Sequence, residues 1–410
     1  MLLAGRILVV SLPVLDVVVA QLVPLLSNEG VGSILGKAVR AAVLVVVVLI
    51  LATSKLKNVR MPRRILAGLA VISFAVVVGW AVEMQRNGFL VGSAVSYLKI
   101  FYWVVLAIAH FALVTDGVWA KRVLISIVVG TLIASLSILL GFVVGGRNVY
   151  AHEGITASVG FFQSGKTIAG PLIVGMIAAW IIWFRDHRSG TALLMLVMLV
   201  ALLATQARAG QVALVLALAA IAVRRIVLKR QAPVFKLATL AAAVFASAAL
   251  FGLIVILREV VFARWEDVAD VATAGSGRLT LWIAAVQELL TRNWLELAFG
   301  AGYESALQVS QDAVGVKLHL HSDLFDLLVM FGVVGLLGYT VLAAGAMRIG
   351  SLARVAPNLA EAIWMVVVVW VVSGFLTGQL FGEYAMVFYF AAINAFFRLS
   401  QATREVGHVA

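Results

Sequence analysis

The chain has 410 residues, of which 63% are hydrophobic and 12% charged, and its mean hydropathy is +1.10. Soluble globular proteins carry charge on about a quarter of their residues, so this is not one of them; it is also far too apolar for a disordered chain. A net charge of +12 would suggest nucleic acid in a soluble protein, but in so apolar a chain Lys and Arg are first of all topology signals. Cysteine is absent, which excludes disulfides, thiolate catalysis and Cys-ligated metal.

A helix needs about 20 apolar residues to cross the hydrocarbon core, and roughly twelve stretches approach this. They are 7–26, 38–54, 65–83, 97–114, 122–144, 168–184, 190–207, 208–223, 237–257, 322–347, 362–378 and 384–399. The first follows Arg6 and lacks a small-residue cleavage site, so it reads as a retained helix rather than a signal peptide. The seventh and eighth form one run, 190–223, interrupted by Thr205-Gln206-Ala207-Arg208-Ala209-Gly210-Gln211. As a single helix it would be about 51 Å long, too much for one crossing, so two short helices meeting at the outer face are predicted. No internal repeat is visible, and the whole chain reads as one membrane domain.

With the N-terminus placed in the cytoplasm, 19 of the 31 Lys and Arg fall on inner loops and 12 outside. Four acids lie inside and fourteen outside, with Asp16 within the first span. This is the positive-inside asymmetry, so both termini are expected in the cytoplasm and the hydrophilic stretch 258–321 on the outer side. Within that stretch Phe262-Ala263-Arg264-Trp265 reads as an interfacial segment. Arg278 then opens a helix running to Leu290, with Leu279, Trp282, Ala285 and Val286 on one face. Such a helix suits the headgroup layer. Gly300-Ala301-Gly302-Tyr303 is a turn, and His319 and His321 precede the tenth span.

Gly160-Phe161-Phe162-Gln163-Ser164-Gly165-Lys166-Thr167 satisfies the P-loop pattern. The pattern needs a buried parallel strand before it, and here a polar outer loop precedes and a membrane helix follows, so no nucleotide is expected. Gly165 and Lys166 at a helix start can still hold an anion. His152, Glu153 and nearby Arg147 are too few for a metal site, and none is expected. His110 fits a satisfied intramembrane histidine better than a ligand, and His187 and His408 fall on the cytoplasmic side.

Arg208, Arg278 and His321 are far apart in sequence yet all map to the outer membrane boundary. An Arg at such a place either faces water or a partner, or snorkels to lipid phosphates. Two guanidiniums suit a diphosphate, and an imidazole suits general base work. Asp323 and Asp326 follow His321; Asp323 either orients the imidazole or, the better fit, complements the helix N-terminus.

These residues carry a resemblance. The chain is similar to the O-antigen ligase and polymerase superfamily of membrane glycosyltransferases. Thr205-Gln206-Ala207-Arg208-Ala209-Gly210 resembles the family's motif at a helix break, with Ala207 in place of the usual Ser. Gly277-Arg278-Leu279-Thr280-Leu281-Trp282, followed by Phe299-Gly300-Ala301-Gly302, resembles the motif that opens the outer helix and its Gly-x-Gly turn. His321-Ser322, nine residues, then Gly332-Val333-Val334-Gly335, resembles the ligase pattern. Gly160 to Gly170 looks like the family's stretch before a helix, with Lys166-Thr167 where Asn is common; this accounts for the P-loop match.

The resemblance implies an all-α, GT-C-like polytopic fold with a helical periplasmic loop between helices nine and ten. It implies an O-antigen ligase of the Gram-negative inner membrane, without metal, nucleotide or other cofactor. The donor would be a glycan on undecaprenyl diphosphate, the acceptor the lipid A-core oligosaccharide, and the outcome inversion. His321 would be the base, and Arg208 and Arg278, with Lys166, would hold the diphosphate; His319, Asp323 and Tyr303 are secondary candidates. The alternative within the superfamily is an O-antigen polymerase joining carrier-linked repeat units. A transporter would require paired half-helices in two repeats, which the sequence does not show.

Overall fold

The structure is a computed structural model describing residues 2–25, 31–53, 61–144, 149–152, 155–158, 165–186, 190–205, 207–228, 278–353, 356–381 and 383–409. The expected ninth span, the interfacial segment around Trp265, and Arg147, Glu153 and His187 lie outside these residues.

Eight helices come first: α1 (Leu2–Leu25), α2 (Val31–Thr53), α3 (Arg63–Asn87), α4 (Val91–Leu113), α5 (Gly117–Val144), α6 (Gly165–Asp186), α7 (Gly190–Ala204) and α8 (Arg208–Leu228). Six more follow: α9 (Arg278–Thr291), α10 (Trp294–Phe299), α11 (Tyr303–Val314), α12 (Asp323–Leu352), α13 (Pro357–Thr377) and α14 (Glu383–Val409). Among the described residues six helices have the length and apolarity to cross a membrane, drawn from α1, α3, α4, α5, α12 and α13. Shorter apolar helices lie in α2, α6 and α7. This is a multi-pass membrane protein. One departure from all-α is an antiparallel hairpin between α5 and α6, pairing β1 (Val149–His152) with β2 (Ile155–Ser158).

α14 is the central helix; every side chain from Ala385 to Phe396 is buried. Trp103 of α4 stacks on Phe390 at 5.8 Å, and Trp370 of α13 meets the same ring at 5.3 Å. The C-terminal end of α4 is tied to α14 by polar bonds. Asn394 Nδ2 donates to the His110 carbonyl at 2.7 Å, and Arg398 donates to the Phe111 carbonyl at 3.2 Å. A cation at a helix C-terminus also complements the dipole. α3 and α12 lie close together because small residues let the backbones approach; a Cβ at Gly68 would meet the Leu342 backbone at 2.7 Å. α1 buries Val9, Leu12 and Val17 completely, so it is part of the bundle.

Two expectations need correction here. Helices α2 and α4 begin several residues before their apolar runs, at Val31 and Val91. Arg40, inside both the expected span and α2, has its Nε 3.9 Å from buried Asp16 of α1; Asp16 also accepts from Tyr102 at 3.1 Å. The added turns carry Gly32, Ser33, Gly36, Gly92, Ser93 and Ser96, which lower hydropathy without ending the helix, so the apolar run underestimates its length. His110 is fully buried, but neither ring nitrogen has a hydrogen-bond partner among the described residues.

Candidate functional site

The outer layer is built around a break in α12. Gly332 sits at φ 64°, ψ −165°, a conformation suited to glycine, and divides the helix. A break frees carbonyls that lipid cannot satisfy. Here the Gly-x-Gly turn supplies the missing donors: Ala301 N–H donates to Val329 O and Gly302 N–H to Met330 O, both at 3.1 Å. Arg292 adds an Nη1 bond to Val329 O at 2.6 Å while its Nε donates to Glu288 at 3.1 Å. Approach is so close that a Cβ at Gly300 would lie 2.2 Å from the Met330 carbonyl. Two stretches separate in sequence thus form one joint.

α11 starts at that joint. Its first N–H groups, from Tyr303 and Glu304, donate to Glu83 Oε2 of α3 at 2.6 and 3.2 Å, and Tyr97 of α4 donates to the same oxygen at 2.7 Å. A buried carboxylate at a helix N-terminus is favourable. α9 lies across the joint with Leu281 and Ala285 buried. The expected face is therefore rotated: Trp282 and Ala285 point inward, but Leu279 and Val286 are exposed, because the helix must also direct Arg278 and Arg292 toward the bundle.

His321 lies in the segment ahead of α12 and is, among the described residues, the one non-glycine with positive φ, 56°. Such a backbone costs on the order of 1 kcal/mol and persists where neighbours hold it. Leu320 before it is fully buried; its N–H donates to Asp326 Oδ1 at 3.1 Å and its carbonyl accepts from Trp282 Nε1 at 3.0 Å. Trp282 in turn stacks on Phe325 at 5.6 Å. Ser322 after it is fully buried, and a Cβ at Gly378 would meet Ser322 N at 3.3 Å.

Asp323 stands in the first turn of α12, where an acid complements the helix N-terminus as expected, but its oxygens bond elsewhere. Oδ1 accepts the N–H groups of Gln379 and Leu380 at 2.5 and 2.7 Å, and Oδ2 accepts from Tyr339 at 2.9 Å. It fastens the turn after α13 to the start of α12. The backbone its oxygens hold is thus another element's, which a local capping argument does not reveal.

One of the two arginines reaches the same turn. Arg278 Nη1 donates to the Leu376 carbonyl, in the last turn of α13. α8 packs against α13, with Arg225 Nε donating to Glu361 Oε1 at 2.9 Å. Arg208, half-buried, is the first residue of α8. The predicted break between α7 and α8 is present. Thr205 Oγ1 donates to Leu202 O at 2.7 Å and accepts from Ala207 N at 3.3 Å, and Ala207 O then takes the N–H groups of Gly210 and Gln211. Arg278 and the backbone of His321 therefore meet around residues 376–380, while Arg208 opens α8 after the break.

Lys166 is the second residue of α6; its side chain lies outside the described residues. The strand ahead of α6 belongs to an antiparallel hairpin, unlike the buried parallel strand of a P-loop. Tyr303 and His319 do meet: the hydroxyl lies 3.1 Å from Nε2, and the imidazole stacks on Phe381 at 4.6 Å. Burial, with the charges of Lys99 and His321, pushes His319 down to about 4, so it is neutral near pH 7. Burial raises the Tyr303 hydroxyl, which keeps its proton. Sequence reasoning missed Lys99, Glu83 and Arg292. A lone lysine inside an apolar run was the available signal for the first; the others act through backbone groups distant in sequence. Among the described residues no three His, Asp or Glu side chains gather as a metal site.

Residues 193–340 match the family model described as O-Antigen ligase. Over this stretch, about a third of the chain, the protein is similar to the O-antigen ligase and polymerase superfamily. The matched region runs from α7 through the break in α12, and so contains Arg208, Arg278, the Gly-x-Gly turn and His321. Members of the family are glycosyltransferase-like membrane enzymes, ligases and polymerases alike. No curated protein matches the chain.

Proposed function

We propose that this protein is an O-antigen ligase of the Gram-negative inner membrane. It transfers a glycan from undecaprenyl diphosphate to a hydroxyl of the lipid A-core oligosaccharide on the periplasmic face. The observation that carries this reading is the meeting of Arg278 and the held segment of His321 at the turn after α13. In this reading roughly twelve spans form one GT-C-like membrane domain, with both termini in the cytoplasm and 258–321 in the periplasm.

His321 accepts the proton of the acceptor hydroxyl as that oxygen attacks the anomeric carbon. The bond to the diphosphate breaks on the opposite side, and the configuration inverts. Arg208 and Arg278, with Lys166, hold the diphosphate as charge develops on it, an effect worth about 3 kcal/mol for a single donor in comparable sites. Asp323 and Asp326 are positioning residues, since each holds backbone on one side of the imidazole.

The test is transfer by purified protein from a carrier-linked glycan to core lipid. His321→Ala is expected to lower the rate by about 100-fold or more, the usual range for a lost general base. Undiminished transfer would reject His321 as base. If wild-type protein extends carrier-linked glycan and leaves core lipid unmodified, it is a polymerase.

A further inference from the structure

α4 turns one face toward the corner that holds the two histidines. Ser96, Lys99 and Trp103 share that face at helical spacing. Ser96 hydrogen-bonds Tyr303, and Trp103 Nε1 donates to the Leu380 carbonyl at 3.1 Å, so both flanks of Lys99 are docked on the site. His319 sits over the same place, bonded to Tyr303 and stacked on Phe381, close enough to feel the lysine's charge.

Lys99 lies about two turns into a helix with the length and apolarity of a membrane span. It is half-buried, and no carboxylate pairs with it among the described residues. The acids around it are engaged elsewhere. Glu83 takes the start of α11, Asp323 the turn after α13, Asp326 the Leu320 amide, and Glu304 binds Lys317. A cation at this depth is costly unless it serves a partner or a polar path. Exposed Leu98 and Val91 mark other sides of α4 for lipid.

We propose that Lys99 is a further anion-binding residue of this site, its ammonium taking a phosphate oxygen of the lipid-linked diphosphate from the membrane side. This rests on the diphosphate reading above. Arg278 approaches from the turn after α13, whereas Lys99 approaches from α4, so the anion would be held between the two.

The experiment measures binding of geranylgeranyl diphosphate and geranylgeranyl monophosphate to the full-length protein in detergent. Lys99→Met is expected to weaken the diphosphate about tenfold, with Lys99→Arg near wild type and a smaller loss for the monophosphate. Thermal unfolding should stay near wild type, because no carboxylate loses its partner; should Lys99→Met fail to fold, Lys99→Gln carries the same comparison. Wild-type diphosphate affinity in Lys99→Met, with Arg208→Met and Arg278→Met weakened, would overturn the role of Lys99 and leave the diphosphate reading intact. Unchanged affinity in all three would overturn both.

Discussion

The protein breaks two of its membrane helices and heals them differently. Between α7 and α8 the repair is local: the Thr205 hydroxyl closes on Leu202 and Ala207, residues within a turn of it. In α12 the repair is remote: carbonyls freed at Gly332 take amides from Ala301 and Gly302 and a guanidinium from Arg292. The first break starts a new helix at Arg208. The second makes the outer layer part of the membrane bundle, because α9, α10 and α11 are fixed through it. A break needs donors in either case; where they come from decides whether it remains a local kink or becomes a joint.

The glycines of the joint give the strongest test of this contrast. Gly332→Ala places a Cβ 2.4 Å from the Ala298 carbonyl at φ 64°, and Gly300→Ala one 2.2 Å from Met330 O at φ 78°. Backbone strain and overpacking together should cost about 3 kcal/mol or more. Thermal unfolding in detergent measures this, and faster hydrogen exchange across α9–α11 should accompany it. Unchanged exchange there would mean that the outer layer does not depend on the break.

Arg292→Met should have an intermediate effect of about 2 kcal/mol, typical for a hydrogen bond to a charged group. Val329 O keeps its bond from Ala301, and Glu288 turns to water, so the joint should loosen without opening. A loss as large as that of Gly332→Ala would make Arg292, rather than the backbone pair, the principal donor. Thr205→Val at the local break should cost least, about 1 kcal/mol, from one hydroxyl bond. Exchange should rise only near 202–211. A spread of the effect to α12 would remove the distinction between the two repairs.

Much of the fold was legible in the sequence. The break at Thr205–Ala207 was visible because polar residues interrupt an apolar run, and the start of α12 was visible because His321, Asp323 and Asp326 precede one. The break at Gly332 left no mark on hydropathy, as Met330, Phe331 and Val333 continue the run, and the sequence showed one span there. The first turns of α2 and α4 were missed because Gly32, Ser33 and Gly36, and Gly92, Ser93 and Ser96, lower the hydropathy ahead of each apolar run without ending the helix. For Asp323 the residue was singled out but its partner was not, since the backbone it holds lies at 379–380.

Apolar length and the distribution of Lys and Arg depend on composition within short windows. For this reason the sequence alone determined that the chain crosses the membrane repeatedly and which residue types stand at the helix ends. Hydrogen bonding across the bundle does not depend on such windows. Only the tertiary structure decided that the Gly-x-Gly turn closes the break in α12, that Trp282 and Asp326 hold the backbone beside His321, and that Arg278 joins them at the end of α13. In a low-dielectric interior each freed polar group must find a partner. Which partner it finds is settled by what packs beside it, however distant in sequence.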